Sequence, residues 1–425
     1  MNDQRRRYNQ RLLIAIHIAI LPLLTSFGMA NAGLLQLYAT NILDLDEDKI
    51  GLLIGLPALV IPLQLLGLYL IGRLGNKRTV MLGFLLLFCL LPLMLIIPGV
   101  YRQDTTLGFA LLCATVMAMH LAHNATKGVA LQPMFRESTL PGERGRFLSK
   151  ISLTANGFNL LFFATLSVMF GARIDMGEYA WITFFLMGYC AFAFVTIHRF
   201  QNIRDDGGDN LPHLFRRHFM QGLREALMSG NYRLSLMVMA LTILSSLPLF
   251  VTYLSTGPQL DASHISQLMS INVAGTMAGL LVWGRLIDRM GFMGVLSVIL
   301  SLFVASGGLW LFAQPVIPPH GISLSLVVLG LIAGLTGFLR SGLRLALLVG
   351  VHNGVTQHTA VVALAVFNTS SLILGSLASI AVGYYLDFTL GSRIIDFGRF
   401  YLDSYQLLGL TGALLCAVAG MLCRR

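Results

Sequence analysis

The sequence predicts an all-α polytopic membrane protein of about twelve transmembrane helices in two pseudo-symmetric six-helix halves. Three observations lead there: the composition, a succession of apolar runs of membrane-spanning length, and a likeness between the first and second halves of the chain. Of 425 residues, 56% are hydrophobic and only 11% charged, and the mean hydropathy is +0.76. A soluble domain carries about a quarter charged residues, so lipid is the solvent for most of this chain. The net charge of +10 raises nucleic acid as a partner. Its distribution excludes that class, because the basic residues sit in short loops between apolar runs instead of forming one basic face.

A helix needs about 20 apolar residues to cross a bilayer. By that ruler six spans run near 12–42, 50–72, 79–99, 106–133, 148–171 and 179–198, and six more near 234–256, 265–286, 292–313, 321–345, 357–385 and 403–422. Backbone groups in lipid must bond within the segment, so the spans are helical. Pro22, Pro62 and Pro92 fall inside them and are expected to mark kinks. The basic start at Arg5, Arg6 and Arg7 leads into an apolar run too long for a signal peptide. Cys89, Cys113, Cys190, Cys416 and Cys423 lie in or at the end of apolar runs with no CxxC pair, which reads as packing and not as a disulfide or zinc framework.

Lys and Arg set the orientation. The odd-numbered connections hold Lys49, Arg102, Arg173, Arg393 and Arg399, whereas the termini and even-numbered connections hold almost all the rest. The bias is roughly four to one, which places both termini in the cytoplasm of a bacterial inner membrane. The longest polar stretch, 199–233, separates an N-terminal six-helix bundle (1–198) from a C-terminal one (234–425). It reads as a cytoplasmic linker whose second half could lie on the membrane surface.

Several short matches fall in the same order in the two halves. Leu45-Asp46-Glu47-Asp48-Lys49-Ile50-Gly51 is similar to Leu260-Asp261-Ala262-Ser263-His264-Ile265-Ser266. Gly72-Arg73-Leu74-Gly75 is similar to Asp288-Arg289-Met290-Gly291. Phe158-Asn159 recurs as Phe367-Asn368, and the spacing of Gly171 to Asp175 recurs from Gly383 to Asp387. Parallel halves of this kind suit a transporter that exposes its site to one side at a time.

The loop after the eighth span, Gly284-Arg285-Leu286-Ile287-Asp288-Arg289-Met290-Gly291, resembles the G-x-L-x-D-R-x-G gating motif of the major facilitator superfamily. The corresponding first-half loop keeps Arg73, Gly75 and the basic end Lys77-Arg78, but has Gly72 in place of the Asp. Pro141-Gly142-Glu143-Arg144-Gly145-Arg146 is similar to the family's basic loop after the fourth span. The resemblance implies a gating role for Gly284, Asp288, Arg289, Gly291, Arg73 and Gly75, with Asp288 and Arg289 making state-dependent contacts to a neighbouring helix end. It also implies a monomer. The fifth span, Leu153 to Leu160, lacks the proline of the family's drug/proton antiporters. The overall cast loosely resembles permeases found beside siderophore pathways, including the yersiniabactin type.

All nineteen acidic residues can be placed in loops or at span ends, so a proton carried on a mid-span carboxylate is not expected. Polar residues at membrane depth are functional candidates by default. In the fourth span His120, His123, Asn124 and Lys127 share one helical face, and in the tenth Thr336, Arg340 and Arg344 form a similar stripe. The repeat pairs Thr336 with His120 and Arg340 with Asn124, so the stripes are expected to face each other across a central cavity. The alternative is that Lys127, Arg340 and above all Arg344 lie low enough to reach the cytoplasm. Asn159 and Asn368 occupy repeat-related places and are candidates for lining the path. His17 reads as a packing residue, and Asn31, Gln36, Gln64, Asn156 and Asn272 as helix-to-helix hydrogen-bonding groups.

These readings point to a secondary active transporter without an ATPase domain, since no G-x-x-x-x-G-K-[ST] occurs. Its partners are a small-molecule substrate, the bilayer and a coupling proton or other ion. Its cationic cavity favours an organic anion or a metal-siderophore chelate, and His120 with His123 could handle a proton. No cofactor and no resident metal are expected, and no enzymatic constellation appears. Two further readings stand beside it: an exporter of an amphipathic natural product or drug, and a non-transporting receptor or assembly factor with a transporter fold.

Overall fold

The structure, a computed structural model, describes residues 3–27, 33–60, 66–124, 129–139, 144–171, 173–201, 224, 227–246, 249–256, 260–313, 324–353, 360–389, 395–396 and 401–423. The first group of helices is α1 (Asp3–Phe27), α2 (Gly33–Asn41), α3 (Glu47–Gly55), α4 (Pro57–Val60), α5 (Leu66–Leu90), α6 (Leu93–Gln103), α7 (Thr105–Leu121), α8 (Val129–Ser138), α9 (Arg144–Met169) and α10 (Met176–His198). The second is α11 (Gly230–Leu241), α12 (Phe250–Thr256), α13 (Ala262–Gly307), α14 (Leu324–Asn353), α15 (Ala360–Thr389) and α16 (Ser404–Cys423). A short antiparallel pairing of β1 (Ile395–Asp396) with β2 (Tyr401–Leu402) precedes α16.

Twelve spans are built from these pieces. Among the described residues, 8 stretches are long and apolar enough to cross a membrane uninterrupted. One of them, Ala262–Phe312, has 51 residues, about 76 Å of helix at 1.5 Å per residue, which is enough for the predicted eighth and ninth spans together. The second and seventh spans are divided into shorter helices, at Leu56 and after Leu241. Pro92 sits at the break before α6, where a kink is expected, whereas Pro22 lies within α1. Pro62 lies outside the described residues.

The two motif loops share one backbone device. Gly75 (φ 75°, ψ 164°) interrupts α5, and Gly291 (φ 73°, ψ 165°) interrupts α13. That region of φ/ψ is essentially reserved for glycine. The predicted repeat is therefore present in the dihedral angles as well as in the letters. It recurs at the opposite end of the molecule. Asp46 and Asp261 both precede a helix in extended conformation. Each faces a cationic or titratable side chain three residues on, Lys49 at 2.5 Å and His264 at 3.8 Å.

The acidic residues start helices, as their place at span ends suggests. Asp104 accepts from the Leu107 amide at 2.9 Å. Asp175 and Glu178 form a reciprocal capping box. Asp403 accepts from the Gln406 amide at 2.7 Å, while the Gln406 side chain accepts from the Asp403 amide at 2.9 Å. Each bond satisfies an amide that the first helical turn would leave open.

The two helix groups meet at the end of the molecule that carries these caps. Gln36 Oε1 of α2 accepts from the amide and hydroxyl of Thr252 on α12, at 3.0 and 3.2 Å. Ser263 of α13 donates to the Ser167 carbonyl of α9 at 2.6 Å. Between α3 and α15 the backbones touch: a Cβ built on Gly51 would lie 2.7 Å from the Gly383 Cα. At the other end, the side chains of Asn9, Gln10 and Lys77 bond to Gln201, Ser138 and Phe200, all within the first group. The Gln36–Thr252 and Ser263–Ser167 hydrogen bonds thus join the two groups at the first end.

Candidate functional site

Helix α14 places the tenth-span stripe. It is held against α13 by Asn272, whose side chain donates to the Ala333 carbonyl at 2.8 Å, and by the Trp283 indole, which donates to the Phe338 carbonyl at 2.9 Å. Its exposed large residues are Leu324, Val327, Leu331 and Leu335. At about 100° per residue these four form one face, and Thr336, Arg340 and Arg344 centre on the opposite side, roughly 175° away. An exposed leucine face in an apolar helix of this length is the one lipid covers. The arginines therefore point into the molecule. Thr336 is buried, Arg340 half-buried and Arg344 exposed. Arg344 is exposed on the side of α14 opposite the leucines. It does not reach past the helix to the lipid surface.

The fourth span departs from expectation. A continuous helix would have kept 120, 123, 124 and 127 on one face. Instead α7 ends at Leu121 and residues 122–124 form a wider π-type turn, and the next described helix is α8, from Val129. Such irregular turns inside membrane helices are tolerated where they border a cavity or are buried in protein. His120 and Asn124 are buried and His123 is half-buried. Among the described residues the Asn124 side-chain nitrogen is a buried donor with no hydrogen-bond partner. Lys127 lies outside the described residues.

The other candidates divide. Asn159 is buried and borders no open space in this conformation. Asn368 lies on α15, but its side chain is outside the described part. Arg285, Asp288 and Arg289 are exposed, and among the described residues none of them makes an ion pair. The contact that the motif resemblance implies for Asp288 and Arg289 is thus not made among the described residues. Gly75 and Gly291 hold the two breaks. His17 packs as expected, its ring 4.9 Å from that of Phe135 and its Nδ1 donating to the Leu13 carbonyl at 2.9 Å. Among the described residues no three His, Cys, Asp or Glu side chains gather as a metal site.

The family model described as Major Facilitator Superfamily matches residues 16–380, most of the chain. The chain belongs to the Major Facilitator Superfamily. This major facilitator is similar in fold to the nucleoside transporter NupG, at TM-score 0.65 and 15% identity over 100% of this chain and 98% of that one. A point mutant of NupG gives TM-score 0.68 and 14% identity, with 99% of each chain covered. A bacterial homologue of the human lysosomal transporter Spinster, in an inward-facing and unoccupied conformation, gives 0.66 and 14%, with 100% and 97% covered. No curated protein matches the sequence. As a member of its family the chain is an integral membrane protein of the transporter class.

Two site features lay beyond the sequence reading. In the sequence Arg344 reads as part of the tenth-span stripe with the cytoplasmic surface as the alternative, and the exposed leucines of α14 put it on the opposite side of the helix from them. The Gln36–Thr252 bond joins residues 216 positions apart, a pairing that no local pattern announces.

Proposed function

We propose that this major facilitator is a secondary active transporter of a small organic anion, including anionic metal-siderophore chelates, across the bacterial inner membrane. Both termini lie in the cytoplasm on this reading, following the Lys and Arg bias. The observation that carries the anion assignment is the arginine stripe of α14, turned away from the exposed leucine face. Charge at membrane depth is costly and persists where it serves a pathway. With no mid-span carboxylate in the sequence to balance it, the cleft has a positive field. Bodies 1–198 and 234–425, joined by 199–233, rock about the central cleft and expose it to each side in turn. Contact at the capped end alone corresponds to a cleft open toward the cytoplasm. His120 and His123, beside the turn in the fourth span, are the groups available to carry a coupling proton.

Uptake into proteoliposomes tests the reading. The probes are labelled organic anions, a ferric siderophore chelate, uridine as a neutral polar solute and a cationic dye. Anion uptake that Lys127→Ala and Arg340→Ala each reduce about tenfold or more supports the cationic cleft. Transport confined to neutral or cationic solutes, and indifferent to both substitutions, would replace it with the amphipath-exporter reading. No transport of any probe, with the substitutions silent, would favour a receptor.

A further inference from the structure

Arg340 and Arg344 stand one helical turn apart on the face of α14 that is turned away from lipid. Like charges at this spacing on a helix repel. Among the described residues neither guanidinium has a hydrogen bond or an ion pair. The repeat adds a third donor: Asn124, the first-half counterpart of Arg340, keeps a buried amide nitrogen unpartnered. Buried donors in native structures are almost always satisfied, and one left open calls for a ligand or ion. Acceptor-only chemistry with more than one negative charge fits this set.

We propose that Arg344 is a substrate-binding residue which, together with Arg340, selects solutes carrying two negative charges over those carrying one. This rests on the anion-transport reading above. The shared chemistry is a doubly charged oxyanion group or a pair of carboxylates. Each guanidinium presents a planar fork of donors that a carboxylate or phosphate oxygen pair can meet with two bonds. One anionic group can neutralise only one of the two arginines and leaves the second charge unrelieved. A dianion bridges both and removes the repulsion between them.

The test is binding to the purified full-length protein in detergent at matched ionic strength, using ions of one shape and different charge. Sulfate is compared with methanesulfonate, and succinate with butyrate. In the wild type the dianion of each pair should bind about tenfold more tightly than its monoanion, the worth of one added charge-assisted contact. Arg344→Gln should bring that ratio to about one while leaving monoanion binding in place, and Arg344→Lys should keep part of the preference. Arg102→Gln, an exposed arginine outside the stripe, should leave the ratio unchanged. Equal binding of dianion and monoanion in the wild type overturns the proposal, as does an Arg344→Gln effect equal on both. If monoanions still bind and Arg340→Ala still abolishes their uptake, the cationic cleft survives and only the paired site falls. If no anion binds and none is carried, both readings fall together.

Discussion

A methyl group added at Gly291 would meet nothing within 4 Å, so crowding is not what reserves that position for glycine. The backbone is: at φ 73° a side chain is strained whatever the space around it. Holding a non-glycine residue in this region costs about 1–3 kcal/mol. Gly291→Ala should therefore lower the melting temperature in detergent, and Gly75→Ala, at φ 75°, should do the same to a similar extent. Gly99→Ala supplies the contrast. Gly99 also has nothing within 4 Å, but it is helical, so the added methyl should be neutral or stabilise by about 0.4–1 kcal/mol. Equal effects at all three positions would show that the breaks do not need glycine. The sequence showed that Gly75 and Gly291 correspond, because the flanking Arg and basic residues recur. It could not show the dihedral angles, which depend on where each helix must stop. Arg344 is the opposite case: its charge was plain in the sequence, but its direction depends on which face of α14 the lipid takes.

Helices α3 and α15 form the tightest joint between the two groups. A Cβ on Gly55 would lie 2.2 Å from the Ile380 side chain, and one on Gly383 would lie 2.7 Å from the Glu47 carbonyl. A branched side chain at Gly383 cannot fit without parting the helices. Gly383→Val should therefore weaken closure at this end and slow transport, while the wild-type rate would show that the joint is dispensable. The first residue of α3 makes the joint sensitive to pH. Burial raises the Glu47 carboxyl above the usual carboxylate range; Asp387 and Asp46 add to the rise, and its own backbone amide and the Thr256 hydroxyl oppose it. Asp387 and Thr256 belong to the second helix group, so the burial and the Asp387 repulsion exist only while the ends are together. A group whose pKa is higher in the closed state favours that state when protonated, and the preference is lost as pH rises through the raised pKa. Lys49 is engaged by Asp46 and does not offset the effect. Spin labels at Arg102→Cys and Asp261→Cys should report a distance that lengthens as pH rises out of the acidic range. Glu47→Gln should hold the short distance throughout, and a pH response unchanged in that variant would remove Glu47 from the account. Hydropathy made most of the spans legible, because each is one apolar run. The π-type turn in the fourth span was hidden for the same reason, since residues 120–124 contain neither proline nor glycine to announce it.

At the scale of the molecule, the hydrogen bonds that join the halves at one end belong to one state of the proposed alternating-access cycle, and that cycle requires a second. The two halves were legible as a repeat, but nothing in a sequence states which end is closed. That information lies in long-range pairs such as Ser263 with Ser167 and Gln36 with Thr252. The same pairs say how to arrest the cycle. Ser167 and Ser263 lie on α9 and α13 at the closed end, and their approach does not involve the arginine stripe of α14. Ser167→Cys with Ser263→Cys, joined by a short bifunctional thiol reagent, should hold that end shut. Net transport should then fall to background, because the cleft can no longer open on the far side. Sulfate binding should persist, because on the proposed reading the cleft opens toward the other end. Reducing the link should restore transport, and each single cysteine treated alike should retain it. Loss of binding along with transport would mean that the site is loaded from the end seen closed here, and the orientation of the cleft would have to be reversed. Persistence of both would mean that the closed end need not open, which is incompatible with alternating access through this joint.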